Sequence, residues 1–238
     1  MAAVVAVFVL AGAVKGVTGM GLPTVAMSLL GLWMAPVQAA ALLVLPSLAT
    51  NLAQCAGPNW RTLVLRLWPA WLALAAATLA WPRVVSAPGA RHALGLILVL
   101  YGLFGLWRPR LAYLSHLAPR HGALVGTLVG AATGIVTAAT AVFVMPLVPY
   151  LQALRLDKDA MVQALGLSFT VATLALALRL QAADQRLLEV STGLALAAAF
   201  GGLWLGARLR LRLSGPAFRR ALFFMFIALG LANLLRAG

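Results

Sequence analysis

The sequence has few charged residues and very few acids. Of its 238 residues, 4 are Asp or Glu and 18 are Lys or Arg, and charged residues make up 9% of the chain. Soluble domains of ordinary composition carry about 25% charged residues, which cover their surface. Because 63% of this chain is hydrophobic, it cannot form a surface that water wets. The composition therefore predicts a membrane protein, with lipid as its solvent.

Residues that build catalytic and metal sites are scarce as well. Cys55 is the single cysteine, which excludes an intramolecular disulfide and a paired-cysteine metal site. The acids and histidines all lie at or between the ends of apolar blocks: Asp157, Asp159, Asp184, Glu189, His92, His116 and His121. No span therefore offers a buried carboxylate for moving protons. We expect no catalytic residues, no metal and no cofactor, and a protein that is not an enzyme.

Apolar residues are grouped into eight blocks with Pro, Arg and Trp at the breaks. The blocks cover about 1–33, 36–57, 67–82, 93–107, 121–151, 160–180, 187–206 and 218–235. Most have the length of one helical span, which is roughly 17–25 residues. The first block lacks the basic residues that precede the core of a signal peptide, so we treat it as part of the folded protein.

The first and fifth blocks are about thirty residues long, too long for one comfortable span and too short for two. Small residues interrupt each of them, at Gly12–Thr24 and at Gly130–Thr140. Val17-Thr18 and Val136-Thr137 lie 119 positions apart. Repeats that carry interrupted segments at matching positions are typical of transporters and indicate the binding site.

We therefore predict an all-α polytopic membrane protein made of two inverted repeats. Each repeat is a re-entrant or broken helical hairpin followed by three transmembrane helices; eight simple transmembrane helices are the alternative. The first repeat covers residues 1–107, a basic cytoplasmic linker covers 108–120, and the second repeat covers 121–238.

The basic residues at the block ends and between the blocks favour the hairpin topology. With eight simple crossings they divide almost evenly between the two faces, whereas with hairpins one face holds twelve and the other five. The larger group is Arg61, Arg66, Arg108, Arg110, Arg120, Arg155, Lys158, Arg208, Arg210, Arg212, Arg219 and Arg220. The smaller group is Arg83, Arg91, Arg179, Arg186 and Arg236. Cytoplasmic loops carry the excess of basic residues, so both termini are predicted to face the periplasm of a bacterial inner membrane. This anchoring role also accounts for the net charge of +14 without nucleic acid.

Lys15 is the one charged residue that lies far from the ends of its block, and it lies among Gly12, Gly16, Gly19 and Gly21. A lysine near the centre of a span costs about 2.5–3.5 kcal/mol on insertion scales, so it is tolerated beside a cavity or a partner. The alternative is that it snorkels to an interface. A helix restarting near Pro23 would point its N-terminal amides at the same place, and an anion is the ligand that suits this combination.

Polar residues in the second block add a stripe along one helix face. Ser47, Thr50, Asn51 and Gln54 stand at helical spacing, and Gln163, Thr170 and Thr173 repeat the stripe more weakly. Such residues either bond a neighbouring helix or line a wet path. The predicted substrate-binding residues are Lys15, Gly16, Thr18, Gly19, Gly21, Thr24, Asn51, Gln54, Thr137 and Thr140.

Several segments resemble the sulfite exporter TauE/SafE family. They are Lys15–Pro23, Pro36–Ala40 and Leu45–Asn51 in the first half, and Thr137–Pro149 and Tyr150–Ala160 in the second. Where that family usually has a glycine-rich run in its second repeat, this chain has Thr137-Ala138-Ala139-Thr140.

The resemblance implies a permease that exports sulfite or a related organosulfur anion, and the residues alone already favour an anion. Two alternatives stay open: an anion channel of the same architecture, and a membrane enzyme or helper subunit. The expected partners are a small anionic substrate and membrane lipid, with a homodimer left open and no nucleic acid.

Overall fold

A computed structural model describes residues 1–81, 89–107, 112–182, 190–210 and 215–236. The described residues form helices and connecting turns, without a β-strand. In chain order the helices are α1 Ala2–Thr18, α2 Leu22–Leu30, α3 Pro36–Cys55, α4 Trp60–Ala80, α5 Ala90–Trp107, α6 Ala112–Thr140, α7 Leu147–Ala153, α8 Lys158–Ala182, α9 Val190–Leu209 and α10 Gly215–Leu235.

Six of these helices contain a segment long and apolar enough to cross a membrane. The segments are Pro36–Cys55, Trp60–Ala80, Ala90–Trp107, Gly122–Thr140, Lys158–Gln181 and Ser191–Leu209; Ala2–Thr18 and Arg220–Leu235 are shorter apolar helices. Large apolar side chains such as Leu65, Leu72 and Leu128 are exposed on the outer faces of the helices, where lipid is a suitable neighbour. The prediction of an all-α, multi-pass membrane protein is confirmed.

The first block breaks into α1 and α2 at a pair of glycines. Gly19, with φ 81°, ends α1, and Gly21, with φ 99°, precedes α2. Only glycine adopts this left-handed conformation without a steric cost. The Thr18 hydroxyl closes the end of α1, because it donates to the carbonyl of Val14 at 2.8 Å and accepts from the backbone N–H of Met20 at 3.2 Å.

The fifth block breaks at a different place from the one predicted. Gly130–Thr140 does not interrupt the helix, since α6 continues to Thr140 and the break lies at 141–146. The small residues serve packing instead: a Cβ on Gly130 would lie 2.0 Å from the Ala70 carbonyl oxygen of α4. The hydroxyls of Thr133 and Thr137 each bond a carbonyl one turn back, a bond that a continuous helix allows. Helix α6 also begins at Ala112, within the predicted linker.

The two helix ends share one local geometry. Thr140 donates to the Val136 carbonyl at 2.7 Å and accepts from the N–H of Val142 at 3.2 Å, as Thr18 does in α1. The next residue, Ala141, has φ 55°, which matches the left-handed Gly19. Thr140 lies 122 positions after Thr18, so the two residues that end their helices alike do not have the predicted separation of 119 positions.

Close helix pairs are built on glycines. Helix α1 lies against α9, where a Cβ on Gly12 would lie 2.2 Å from the Ala199 carbonyl oxygen and one on Gly206 would lie 2.1 Å from that of Ala13. Helices α4 and α6 meet in the same way. Small residues four apart let helix backbones approach in lipid, where packing and not water drives association.

The α1–α2 hairpin returns to the end of the bundle at which it starts. Met20, at its tip, lies beside Tyr101 well inside α5, with Tyr101 Oη 3.7 Å from the Met20 sulfur. After α2, the Met34 carbonyl accepts from Arg91, at the beginning of α5. The end of α1 points the same way along the bundle as α3, because Lys15 contacts Asn51 and the later Gly19 contacts the later Gln54. Since α3 begins at Pro36, just after that return, α1 begins at this end too.

Candidate functional site

Lys15 is buried in the centre of the helix bundle. Its side chain is 1% exposed, and its ammonium donates to Thr50 Oγ1 at 3.1 Å and to Asn51 Oδ1. Both acceptors lie on α3, so the lysine reaches across from the hairpin to the neighbouring helix. A lysine held in this way does not snorkel to an interface, and the contacts exclude that alternative.

The oxygens around Lys15 are neutral. Thr50 Oγ1 itself donates to the Pro46 carbonyl at 2.7 Å, and Asn51 offers an amide oxygen. Within the described ranges no carboxylate pairs with Lys15, and no group of His, Cys, Asp or Glu could hold a metal ion. Asp157 bonds the N–H of Ala160 at the start of α8, while Asp184 and Glu189 lie outside the described residues.

Asn51 joins the lysine to the second half of the chain. Its amide nitrogen donates to Thr173 Oγ1 on α8 at 3.3 Å, and that hydroxyl donates to the Phe169 carbonyl at 2.7 Å. Asn51, Thr173 and Thr50 are all fully buried. The two predicted polar stripes therefore meet, and a chain of hydrogen bonds connects α1, α3 and α8. Its side chains, those of Lys15, Thr50, Asn51 and Thr173, form the Lys15 cluster.

Gln54 holds the tip of the first hairpin. Its Nε2 donates to the Gly19 carbonyl at 2.8 Å, and the Gly19 N–H bonds the Lys15 carbonyl at 2.7 Å. Gln54 stands one helical turn beyond Asn51, so the two side chains share a face of α3. The polar stripe of α3 thus contacts the first hairpin at two successive helical turns, through Thr50 and Asn51 and then through Gln54.

Four buried polar atoms have no hydrogen-bond partner among the described residues: Thr24 Oγ1 in the first turn of α2, Ser47 Oγ, Gln54 Oε1 and Asn233 Oδ1. Two of them, on Ser47 and Gln54, belong to α3 residues within one turn of Asn51. An unpartnered buried polar group costs about 1–3 kcal/mol, so native proteins hold few of them. Ser47 and Gln54 thus carry unpartnered polar atoms on either side of the two α3 residues that contact Lys15.

Other predicted site residues have different neighbours. Gly16 faces α9, where a Cβ would lie 2.4 Å from the Leu203 carbonyl oxygen. Gly19 and Gly21 form the turn, and the Thr18 hydroxyl is engaged in closing α1. Thr137 and Thr140 are buried, and each donates to a carbonyl of α6. Their contribution to a ligand site stays a prediction.

Two residues of the cluster, Thr50 and Thr173, belong to the predicted stripes but not to the predicted site. The helical spacing of each stripe was the signal that could have identified them. The crossing of α3 and α8, which brings the two stripes together, leaves no signal in the sequence. Gln163 has a structural contact instead. Its amide bonds the backbone of Cys55, Gly57 and Asn59, which attaches α8 to the turn between α3 and α4.

Comparison with known proteins identifies the family of the chain. Residues 4–233 match the family described as "Sulfite exporter TauE/SafE". No curated protein matches the chain significantly, and no solved structure does so either. The match covers nearly the whole chain, and it confirms the resemblance seen in the sequence. The chain is a membrane transport protein that belongs to the sulfite exporter TauE/SafE family.

Proposed function

We propose that the protein is a secondary transporter that exports sulfite or a small organosulfur anion such as a sulfonate by alternating access. The observation that carries the proposal is Lys15, a buried cation whose described partners are neutral oxygens. A buried charge is stable when it is paired, and an anion entering this cluster supplies the missing partner. The neighbouring unpartnered polar atoms of Ser47 and Gln54 offer further contacts to the same ligand.

The architecture that we propose for this transporter is two inverted repeats. Three observations support it. The first helix of each proposed repeat packs on the fourth helix of the other. Helix α1 packs on α9, and α6 packs on α4. Thr18 and Thr140 end their helices alike. Helices α3 and α8 run antiparallel at their crossing, because Asn51 contacts Thr173 while Cys55, further along α3, contacts the earlier Thr170.

In this proposal each hairpin is re-entrant, and the two tips approach the crossing of α3 and α8 from opposite sides. The hairpin of the second repeat is formed by α6 and α7. The Tyr150 hydroxyl of α7 lies beside Gly126 of α6, where a Cβ would be 3.1 Å from it. Rocking of one repeat against the other would then open the Lys15 cluster to each side in turn. The repeat boundaries at 1–107 and 121–238, the linker and a homodimer remain parts of the hypothesis.

The basic residues support an orientation. Among the described residues, three lie at the end of the bundle where α5 begins: Arg91, Arg179 and Arg236. Those at the opposite helix ends are more numerous: Arg61, Arg66, Arg155, Lys158, Arg208, Arg210 and Arg220. The positive-inside rule makes the richer end cytoplasmic. Both termini are then periplasmic in an inner membrane, and a C-terminal alkaline phosphatase fusion should be active while a cytoplasmic fluorescent reporter should not.

Efflux of labelled sulfite from proteoliposomes tests the proposed activity. We expect efflux that saturates with sulfite concentration and that related anions inhibit. Efflux that rises linearly without saturation would instead indicate an anion channel. Folded protein that gives no more flux than empty liposomes would refute sulfite export.

A further inference from the structure

We propose that the site selects a singly charged oxyanion that carries a hydrogen-bond donor, of which hydrogen sulfite is the smallest example, and that Gln54 recognises the donor. The inference rests on the proposed function, and it defines the substrate more closely. It comes from counting the charge and the hydrogen-bonding groups that the Lys15 cluster leaves unmatched.

The charge of the cluster matches one negative charge on the ligand. Lys15 is its cation, and the groups that contact Lys15, Thr50 and Asn51, are uncharged. In a low-dielectric interior a net charge is costly. A monoanion neutralises Lys15, whereas a dianion such as sulfate leaves one negative charge without a partner.

The unmatched amide oxygen of Gln54 requires a donor. Because the Gly19 carbonyl can only accept, the amide nitrogen of Gln54 must face it, at 2.8 Å, and the orientation of the amide is fixed. The remaining atom, Gln54 Oε1, is buried and has no partner among the described residues. A carbonyl oxygen only accepts hydrogen bonds, so an anion without an O–H or N–H group meets it unfavourably.

Lys15 and Gln54 make neighbouring contacts between the first hairpin and α3, since Lys15 donates to Thr50 and Asn51 and Gln54 donates to the Gly19 carbonyl. Gln54 follows Thr50 and Asn51, the two partners of Lys15, by one helical turn, which separates Cβ atoms by about 5–6 Å. Gly19, whose carbonyl accepts from Gln54, follows Lys15 by four residues. Ser47 Oγ, buried and unpartnered one turn on the other side, can donate to a further oxygen. One oxyanion can therefore contact Lys15 and Gln54 together.

Competition experiments can separate the charge from the donor. Labelled sulfite efflux is measured from proteoliposomes at a pH at which hydrogen sulfite predominates, with each unlabelled competitor enclosed beside the label. Hydrogen sulfite and methanesulfonate are both monoanions, but methanesulfonate has no donor; sulfate is a dianion. For the wild-type protein we expect methanesulfonate to compete at least about tenfold more weakly than hydrogen sulfite, and sulfate more weakly still.

The Gln54→Met variant tests the residue. Loss of the amide oxygen should reduce the preference for hydrogen sulfite over methanesulfonate to about threefold or less. A merely loosened hairpin would weaken both monoanions alike and leave their ratio unchanged. Gln163→Met is the matched control, because the Gln163 amide oxygen already accepts from the Asn59 N–H at 3.1 Å; its ratio should stay at the wild-type value.

Three results would overturn the inference. They are equal competition by the two monoanions in the wild-type protein, sulfate competing as well as hydrogen sulfite, or an unchanged ratio in Gln54→Met. In each of these cases sulfite is still transported, so the proposed function survives. Absence of sulfite flux from folded protein would instead remove the proposed function itself.

Discussion

Asn51 and Thr173, which lie 122 positions apart in the chain, meet side chain to side chain at the crossing of α3 and α8. The Asn51 amide nitrogen is 3.3 Å from the Thr173 hydroxyl, and the Asn51 amide oxygen accepts from Lys15. Thr18 and Thr140, which end α1 and α6 in the same way, have the same separation. In the proposed two-repeat architecture Asn51 and Thr173 are equivalent positions, and equivalent residues that contact each other lie close to the axis that relates the repeats. The proposal therefore places this axis beside the Lys15 cluster.

Asn51→Asp should weaken substrate binding by supplying an internal anion. The new carboxylate would pair with the Lys15 ammonium, and the substrate would then have to displace it. We expect the apparent affinity for sulfite to fall at least about tenfold, which corresponds to about 1.4 kcal/mol, with a melting temperature near that of the wild-type protein. Competitive inhibition of labelled sulfite efflux provides the measurement.

Asn51→Ala is the matched control for that prediction. It removes the amide and its contacts with Lys15 and Thr173 without adding a charge, so it should retain more affinity than Asn51→Asp. Equal losses in the two variants would show that the charge of the carboxylate is not the cause.

Thr170→Cys tests the packing of α3 on α8. Cys55 Sγ lies 3.4 Å from Thr170 Oγ1, and Cys55 is the single native cysteine. A second thiol at position 170 is therefore close enough for a disulfide. Mild oxidation should remove both free thiols, as mass spectrometry of maleimide-treated protein would show, and reduction should restore them.

Thr127→Cys is the comparison for the cross-link. Thr127 is exposed on α6 and bonds only the Ala123 carbonyl within the described residues, so its cysteine should stay free after the same treatment. If Thr170→Cys also kept two free thiols, the crossing of α3 and α8 described here would be contradicted.

Two adjacent glycines on α9 should respond in opposite ways to substitution. A Cβ on Gly202 would lie 2.1 Å from the Val9 carbonyl oxygen of α1, whereas one on Gly201 would meet nothing within 4 Å. Gly202→Ala should force α1 and α9 apart and cost about 1–3 kcal/mol. Gly201→Ala should be neutral or slightly stabilising, because alanine favours helix more than glycine does.

Thermal unfolding in detergent provides the comparison, with the two variants purified in parallel. A lower melting temperature for Gly202→Ala alone is the expected result. Equal melting temperatures would argue against the close contact of α1 and α9.

Much of the fold was predictable because lipid imposes simple rules. The apolar blocks and the scarcity of acids indicated a multi-pass helical protein, and the glycines at 19 and 21 marked the break in the first block. The break in the fifth block was misplaced, since glycine has two uses. In Gly130–Thr140 it allows backbones to touch, and the sequence alone does not separate this use from a helix break.

The site was predictable in part for a similar reason. Lys15 stood out because its insertion is costly, and helical spacing placed Asn51 and Gln54 on one face. Their contacts with Lys15, Thr173 and Gly19 depend on which helices are neighbours, and no local pattern encodes that. Gly16 shows the reverse case, since its position beside Lys15 suggested binding while its contact is with the backbone of α9.

Replacing Lys15 by methionine tests the central claim most directly. Methionine is a long, flexible apolar side chain that adapts to irregular spaces, and Lys15→Met removes the charge and its two hydrogen bonds. With equal incorporation into proteoliposomes and a melting temperature showing that the variant is folded, labelled sulfite efflux at subsaturating concentration should fall roughly 10- to 100-fold. Efflux within about twofold of the wild-type rate would contradict the account, because the anion could not then depend on Lys15.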